Sequence, residues 1–179
     1  SRAADNAQSL AQSLLSFSQT SHEKKEHFLL KASLEHIINL LSKTIDRRIA
    51  ISLDMDSDAL IFGNETKLDN AFMNLLINAS HAIDGKGTIH IRSRKVELAA
   101  DDPTVLGFGL KSGEHVAISI QDNGCGISPD LMDHIFEPFF STKGKGKGTG
   151  LGLAEVYATI KRHRGGIDVQ STLKRGTCF

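Results

Sequence analysis

The sequence predicts an α/β sandwich, one mixed β-sheet covered on one face by helices, and three observations lead there. Residues 65–84 carry an apolar stripe at helical spacing, formed by Leu68, Phe72, Leu75, Leu76, Ala79 and Ile83. Stretches at residues 48–54, 88–96 and 115–121 read as strands, the first by strict alternation of Ile49, Ile51 and Leu53 with polar or small residues. Two more short strands follow a later helix, so helices and strands are mixed with consecutive strands late in the chain, the order expected of such a sandwich.

The elements run as follows. Residues 1–19 place Ala3, Ala7, Leu10, Leu14 and Phe17 at alternating spacings of four and three. That is the seam of a coiled coil or helical hairpin, and equally the face of an amphipathic helix on a globular core. Residues 20–29 are mostly polar and charged and read as a linker. A helix over 30–45 follows, with Leu34, Ile37, Ile38 and Leu41 on one face. After the strand at 48–54, a short strand is expected around Leu60–Phe62. The strong helix over 65–84 ends at Gly85 and Gly87. The strands at 88–96 and 115–121 are separated by an irregular connection rich in Asp, Pro and Gly. A glycine-rich region precedes a helix over 149–162, which stops at Gly165-Gly166 before strands at 167–171 and 177–179.

The bulk properties set limits. With 179 residues, the chain holds one domain and an appended helix. Its net formal charge of zero gives no global field for nucleic acid or an anionic membrane. Cys125 and Cys178 are far apart and outside any CxxC pattern, which suits a reducing compartment and supplies no disulfide or zinc framework. No apolar run reaches the length of a membrane span, and nothing resembles a signal peptide. The chain opens in a helical pattern and stops at Phe179 within a strand, so it reads as a piece of a longer parent. Whether that parent is anchored in a membrane is open at this point.

Three segments carry chemistry. On the strong helix, Asn74, Asn78 and His81 share one face at i, i+4 and i+7. Such a face is ordinarily solvated, but an asparagine amide oxygen also ligates hard cations, and magnesium needs only one or two protein oxygens. Directly after a strand comes Asp122-Asn-Gly124-Cys-Gly126-Ile127. It is either a simple turn or a base pocket. A carboxylate there can accept the exocyclic amine of adenine and would repel the carbonyl of guanine, while the glycines let a flat ring approach the backbone. The third segment, residues 136–143 (FEPFFSTK), leads into glycine at every second position from 144 to 152 immediately before a helix. Free N–H groups, the positive end of the helix dipole and Lys143, Lys145 and Lys147 form a polyphosphate cradle. A flexible linker would explain neither the aromatic run nor the helix. Neither GxxxxGK[ST] nor GxGxxG occurs.

In this order and spacing the segments resemble the N box, first glycine box, F box and second glycine box of sensor histidine kinases, members of the GHKL ATPase superfamily. The resemblance runs from about residue 30 to the end, where Gly176-Thr177-Cys178-Phe179 is similar to the family's GTxF strand. It implies the histidine-kinase type of ATPase fold, with ATP and magnesium bound. Asn78 would be the magnesium ligand and, with Asn74 and Lys143, would serve catalysis. Asp122 would read adenine, Gly124 and Gly126 would line the base pocket, and Asn74, Ala82, Ile127 and Thr177 would be further nucleotide contacts. Residues 128–148 would form a lid packed by Phe136, Phe139 and Phe140. Lys143 would be the first lid lysine to reach phosphate, with Lys145 and Lys147 competing for that role. Gly148, Gly150 and Gly152 would hold the phosphates, with Thr149, Leu151 and Leu153 as further nucleotide contacts and His81 a further phosphate contact.

The same resemblance separates kinase from hydrolase. GHKL hydrolases carry a water-activating glutamate four residues before the metal-binding asparagine, and that position here is Asn74. The expected function is therefore donation of the γ-phosphoryl group to a histidine of the parent kinase. From there it passes to an aspartate of a response-regulator receiver domain. The acceptor histidine itself is missing. His22-Glu23 is followed by Lys24-Lys25-Glu26-His27, which does not continue the acceptor motif, and the other histidines read as surface or packing residues. Residues 1–19 would be the end of the dimerisation and phosphoacceptor hairpin, the parent a homodimer, and the domain cytoplasmic beneath a parent that the inner membrane could anchor. Neither nucleic acid nor membrane contact is expected of this piece. The alternatives are a non-catalytic nucleotide-binding regulatory module and a GHKL-type ATPase.

Overall fold

The computed structural model describes residues 24–56, 59–142 and 149–179. The helix expected over residues 1–19, the first part of the expected linker, and Lys143, Lys145, Lys147 and Gly148 lie outside them. The strands are β1 (Glu26–Leu29), β2 (Ile49–Met55), β3 (Leu60–Gly63), β4 (Gly87–Leu98), β5 (Gly113–Asp122), β6 (Gln170–Thr172) and β7 (Gly176–Cys178). The helices are α1 (Leu30–Leu41), α2 (Glu65–Ala82), α3 (Pro103–Phe108) and α4 (Gly152–Arg162), with a 3₁₀ turn at Pro129–His134.

A five-stranded mixed sheet has the order β2-β4-β5-β7-β6. β2 runs parallel to β4 with Ile49 opposite Gly87, and β4 pairs antiparallel with β5 from Ile89–Asp122 to Leu98–Gly113. β7 pairs antiparallel with β5 and β6. On β4, Ile89, Ile91 and Ser93 are buried while the intervening His90 and Arg92 are exposed, the alternation of a sheet with one dry face. Onto that face α1, α2 and α4 bring Leu34, Ile37, Leu76 and Val156 into one core with the two isoleucines. The α/β sandwich predicted from the sequence is the fold observed.

Several boundaries differ from expectation. Glu26–Leu29, read as the end of a linker, is a strand. It pairs antiparallel with β3, Leu29 facing Leu60, and buries Phe28. α1 stops at Leu41, short of residue 45, because Ser42 and Thr44 hydroxyls donate to the carbonyls of Asn39 and Leu41. α3 lies inside the stretch expected to be irregular. Its Asp102 side chain caps the Thr104 N–H at 2.7 Å, Pro103 begins it, and Gly109 ends it in the left-handed conformation. The last helix begins at Gly152 rather than Thr149, since Gly150 sits at φ +68°, outside the helical region. β6 covers Gln170–Thr172, shifted from the expected 167–171.

Candidate functional site

α2, the loop after β5 and the start of α4 meet at one edge of the sandwich. Asp122 is the last residue of β5 and is only 5% exposed. Its Oδ1 accepts the Gly124 N–H at 2.7 Å and, from β7, the Thr177 N–H at 3.3 Å. Oδ2 takes part in neither bond. Burial raises the carboxyl pKa above its ordinary value, and the two backbone donors oppose that rise only in part.

The loop after Asp122 is held on both sides. The Cys125 N–H donates to the Ala82 carbonyl at the end of α2 at 2.8 Å. A Cβ on Gly124 would lie 2.5 Å from that same oxygen, so only glycine permits the approach. On the other side the Ile127 N–H donates to Ser171 Oγ at 2.8 Å, and the Lys174 N–H to the Cys125 carbonyl at 2.8 Å. Gly126, at φ +70°, lies so close to the β6–β7 hairpin that a Cβ there would meet the Thr172 carbonyl. Ser171 Oγ also lies 2.9 Å from Thr177 Oγ1. Sequence reasoning missed Ser171. It belongs to no motif and meets the loop only because the hairpin folds back, so no local pattern marks it.

The other end of the site lies between two helices. Asn74 and Asn78 are half-buried on α2, with His81 exposed in its last turn. The Asn74 amide lies 3.6 Å from where a Cβ on Gly152 would sit, so this asparagine stands against the first residue of α4. Among the described residues no side chain caps α4, and Leu151 before it is buried, its N–H donating to Thr149 Oγ1 at 3.4 Å. The N–H groups of the first turn are thus free of a capping side chain, and they bring partial positive charge to this point. The Phe139 N–H donates to the Gly150 carbonyl at 2.9 Å, which ties the aromatic run to the cradle. Phe136 packs its ring on Tyr157 of α4 and Phe179, with centroids 5.5 and 6.4 Å apart. Phe139, expected to pack the lid, instead is 58% exposed and left-handed at φ 68°, while the buried anchor is Ile135.

The structure therefore brings Asp122, Gly124, Gly126, Ile127, Ala82 and Thr177 together at one end. Asn74, Gly150, Leu151 and Gly152 meet at the other, with Asn78 and His81 farther along the same helix and Thr149 and Leu153 flanking the cradle. Among the described residues no three His, Cys, Asp or Glu side chains gather as metal ligands. An asparagine amide is one oxygen donor on offer to a hard cation here, beside the Glu155 carboxylate in the first turn of α4. Magnesium needs only one or two protein oxygens and completes its shell with phosphate and water.

A buried strand-end carboxylate, a glycine loop seated on a helix end and an uncapped helix start together define a nucleotide-binding α/β sandwich. The family model described as "Histidine kinase-, DNA gyrase B-, and HSP90-like ATPase" matches residues 63–179. The chain belongs to this family and is an ATP-binding domain of the histidine-kinase kind. It is 34% identical over 177 residues to the sensor kinase CckA of Brucella abortus (strain 2308), covering 98% of this chain and 19% of that protein. To the signal transduction histidine-protein kinase AtoS of Escherichia coli (strain K12) it is 33% identical, covering 98% of this chain and 26% of that one. It thus spans about a fifth to a quarter of the length of these relatives. The fold is shared with histidine kinase ThkA solved in complex with the response regulator protein TrrA, at a TM-score of 0.70 and 21% identity. That likeness covers 98% of this chain and 46% of the solved one. No described helix is long and apolar enough to cross a membrane.

Proposed function

We propose that the chain binds Mg-ATP and presents the γ-phosphoryl group to a histidine of a parent sensor kinase, for relay to a response-regulator aspartate. The observation that carries this reading is the Asp122 carboxylate, buried yet with Oδ2 outside both of its backbone hydrogen bonds. That oxygen would accept the exocyclic amine of adenine, and the walls around it would be Ala82, Gly124, Gly126, Ile127 and Thr177. Asn78 would ligate magnesium, which supplies charge neutralisation at the phosphates when bound. Asn74 and His81 would orient the phosphate chain from α2. Thr149, Gly150, Leu151, Gly152 and Leu153 would hold it with backbone N–H groups, joined by Gly148, Lys143, Lys145 and Lys147 of the lid.

The reaction favoured is transfer to imidazole rather than to water. Asn74 stands beside Gly152, where a hydrolase of this family needs a general base, and an amide does not take up a proton. An imidazole nucleophile needs no such base, so positioning and charge neutralisation suffice. The partners in this reading are ATP or ADP, the parent's own dimerisation and phosphoacceptor hairpin, of which residues 1–19 form the end, and a receiver domain. The domain would work in the cytoplasm, where ATP is available, beneath a parent that the inner membrane could anchor.

The test uses γ-labelled ATP. The chain alone is expected to gain no acid-labile, base-stable label, because no histidine in it has the acceptor context. Mixed with the phosphoacceptor hairpin of its parent, it is expected to label that hairpin. Release of inorganic phosphate at the same rate with and without the hairpin would identify an ATPase instead.

A further inference from the structure

His163 follows α4 and belongs to none of the nucleotide motifs, yet it joins the two helices that line the phosphate end. Its Nε2 accepts the backbone N–H of Asn64 at 2.9 Å, and its Nδ1 lies 2.8 Å from the Thr159 carbonyl. An N–H donor at Nε2 leaves that nitrogen unprotonated, so the ring proton sits on Nδ1 and is donated to Thr159. Asn64 is the N-cap of α2, its Oδ1 accepting the Lys67 N–H at 2.9 Å. One neutral imidazole therefore bonds the end of α4 to the start of α2. Gly63 is shaped for it: a Cβ there would lie 2.6 Å from His163 Cδ2.

The position gives this bond leverage. Asn74 meets Gly152 at one end of the α2–α4 seam, and Asn64 meets His163 at the other. The two points are ten residues apart on α2 and eleven on α4, about 15 Å along either axis at 1.5 Å per residue. Apolar interdigitation sets the faces and the approximate register of the seam, and a directional hydrogen bond at one end further restricts axial displacement at the other.

We infer that His163 is a positioning residue, a latch from the end of α4 to the N-cap of α2 that sets the distance between Asn74 and Gly152. It thereby sets affinity for the triphosphate rather than for the base. The inference rests on the nucleotide-binding reading above. His163→Phe keeps a ring and removes the acceptor, leaving the Asn64 N–H unpaired. His163→Gln returns an acceptor oxygen near the Nε2 position.

The experiment measures binding of Mg-AMPPNP and of adenosine to the 179-residue chain and its variants. His163→Phe is expected to weaken Mg-AMPPNP about tenfold, as for a seam in the binding-competent register about a tenth of the time, and to leave adenosine unchanged. His163→Gln is expected to stay within about twofold of wild type for both ligands. Gly63→Ala, which displaces the ring without removing it, should show the same selective loss in weaker form and keeps the test alive if His163→Phe does not fold. Wild-type binding that neither variant alters, loss of both ligands in equal proportion, or failure of glutamine to rescue would overturn the latch. A wild type that binds neither ligand would instead remove the nucleotide reading, and this role with it.

Discussion

Asp122→Asn is expected to lower affinity for Mg-AMPPNP by about two orders of magnitude, the value of one hydrogen bond to a charged group, while the ligand-free chain melts no lower at pH 7. Both effects come from the same carboxylate. Asparagine Oδ1 can accept the Gly124 and Thr177 N–H groups as Asp122 Oδ1 does, so the local fold keeps its bonds. The second atom becomes an NH₂ donor, which meets the donor amine of adenine and repels it. Meanwhile the buried charge is gone. Because burial raises the Asp122 pKa in the folded state, this group favours folding below its unfolded pKa and loses that contribution as pH rises through the folded value. The melting advantage of the variant should therefore shrink as pH is lowered into the acid range, and thermal melts across pH check this. A variant that melts well below wild type at pH 7, yet binds as tightly, would show that Asp122 serves the fold alone.

The second large effect is expected at the glycine loop. Gly126→Ala should lower the melting temperature by roughly 6–12 °C, from about 3 kcal/mol at 2–4 °C per kcal/mol. Its positive φ costs an alanine about 1–2 kcal/mol. The added Cβ also meets the Thr172 carbonyl, a backbone atom that cannot rotate aside. Relief requires the loop to part from the β6–β7 hairpin, which breaks the Ile127–Ser171 bond and opens the base pocket. Gly107→Ala is the matched control. A Cβ there meets nothing within 4 Å, so its melting temperature should hold or rise slightly. Equal melting of the two variants would mean that the loop yields freely and does not define the pocket.

These effects also show what the sequence makes legible. α2 was readable because seven of its side chains are buried on a face at helical spacing, and β2 because it alternates. β1 was not, since Phe28 is its one buried side chain and its partner β3 begins more than thirty residues later. α3 carries cap signals in Asp102-Pro103 and Gly109, but its six residues are too few to display a helical apolar stripe. Within the candidate site, the residues proposed to meet the nucleotide are visible in the sequence as motifs. The contacts that hold them in place are not. Thr177 reaches Asp122 across 55 residues and Ser171 reaches Ile127 across 44, pairings that only the closed sheet creates. His163 illustrates the same limit, because a histidine just past a helix end reads as a surface residue until Asn64 is seen to donate to it.

The measurement closest to the central claim is calorimetric titration of the chain with AMPPNP and with the corresponding guanine analogue, each with and without magnesium. The expected result is one site that takes the adenine nucleotide, binds it more tightly with magnesium, and rejects guanine. Equal binding of both bases, or no binding by a folded chain, would contradict it.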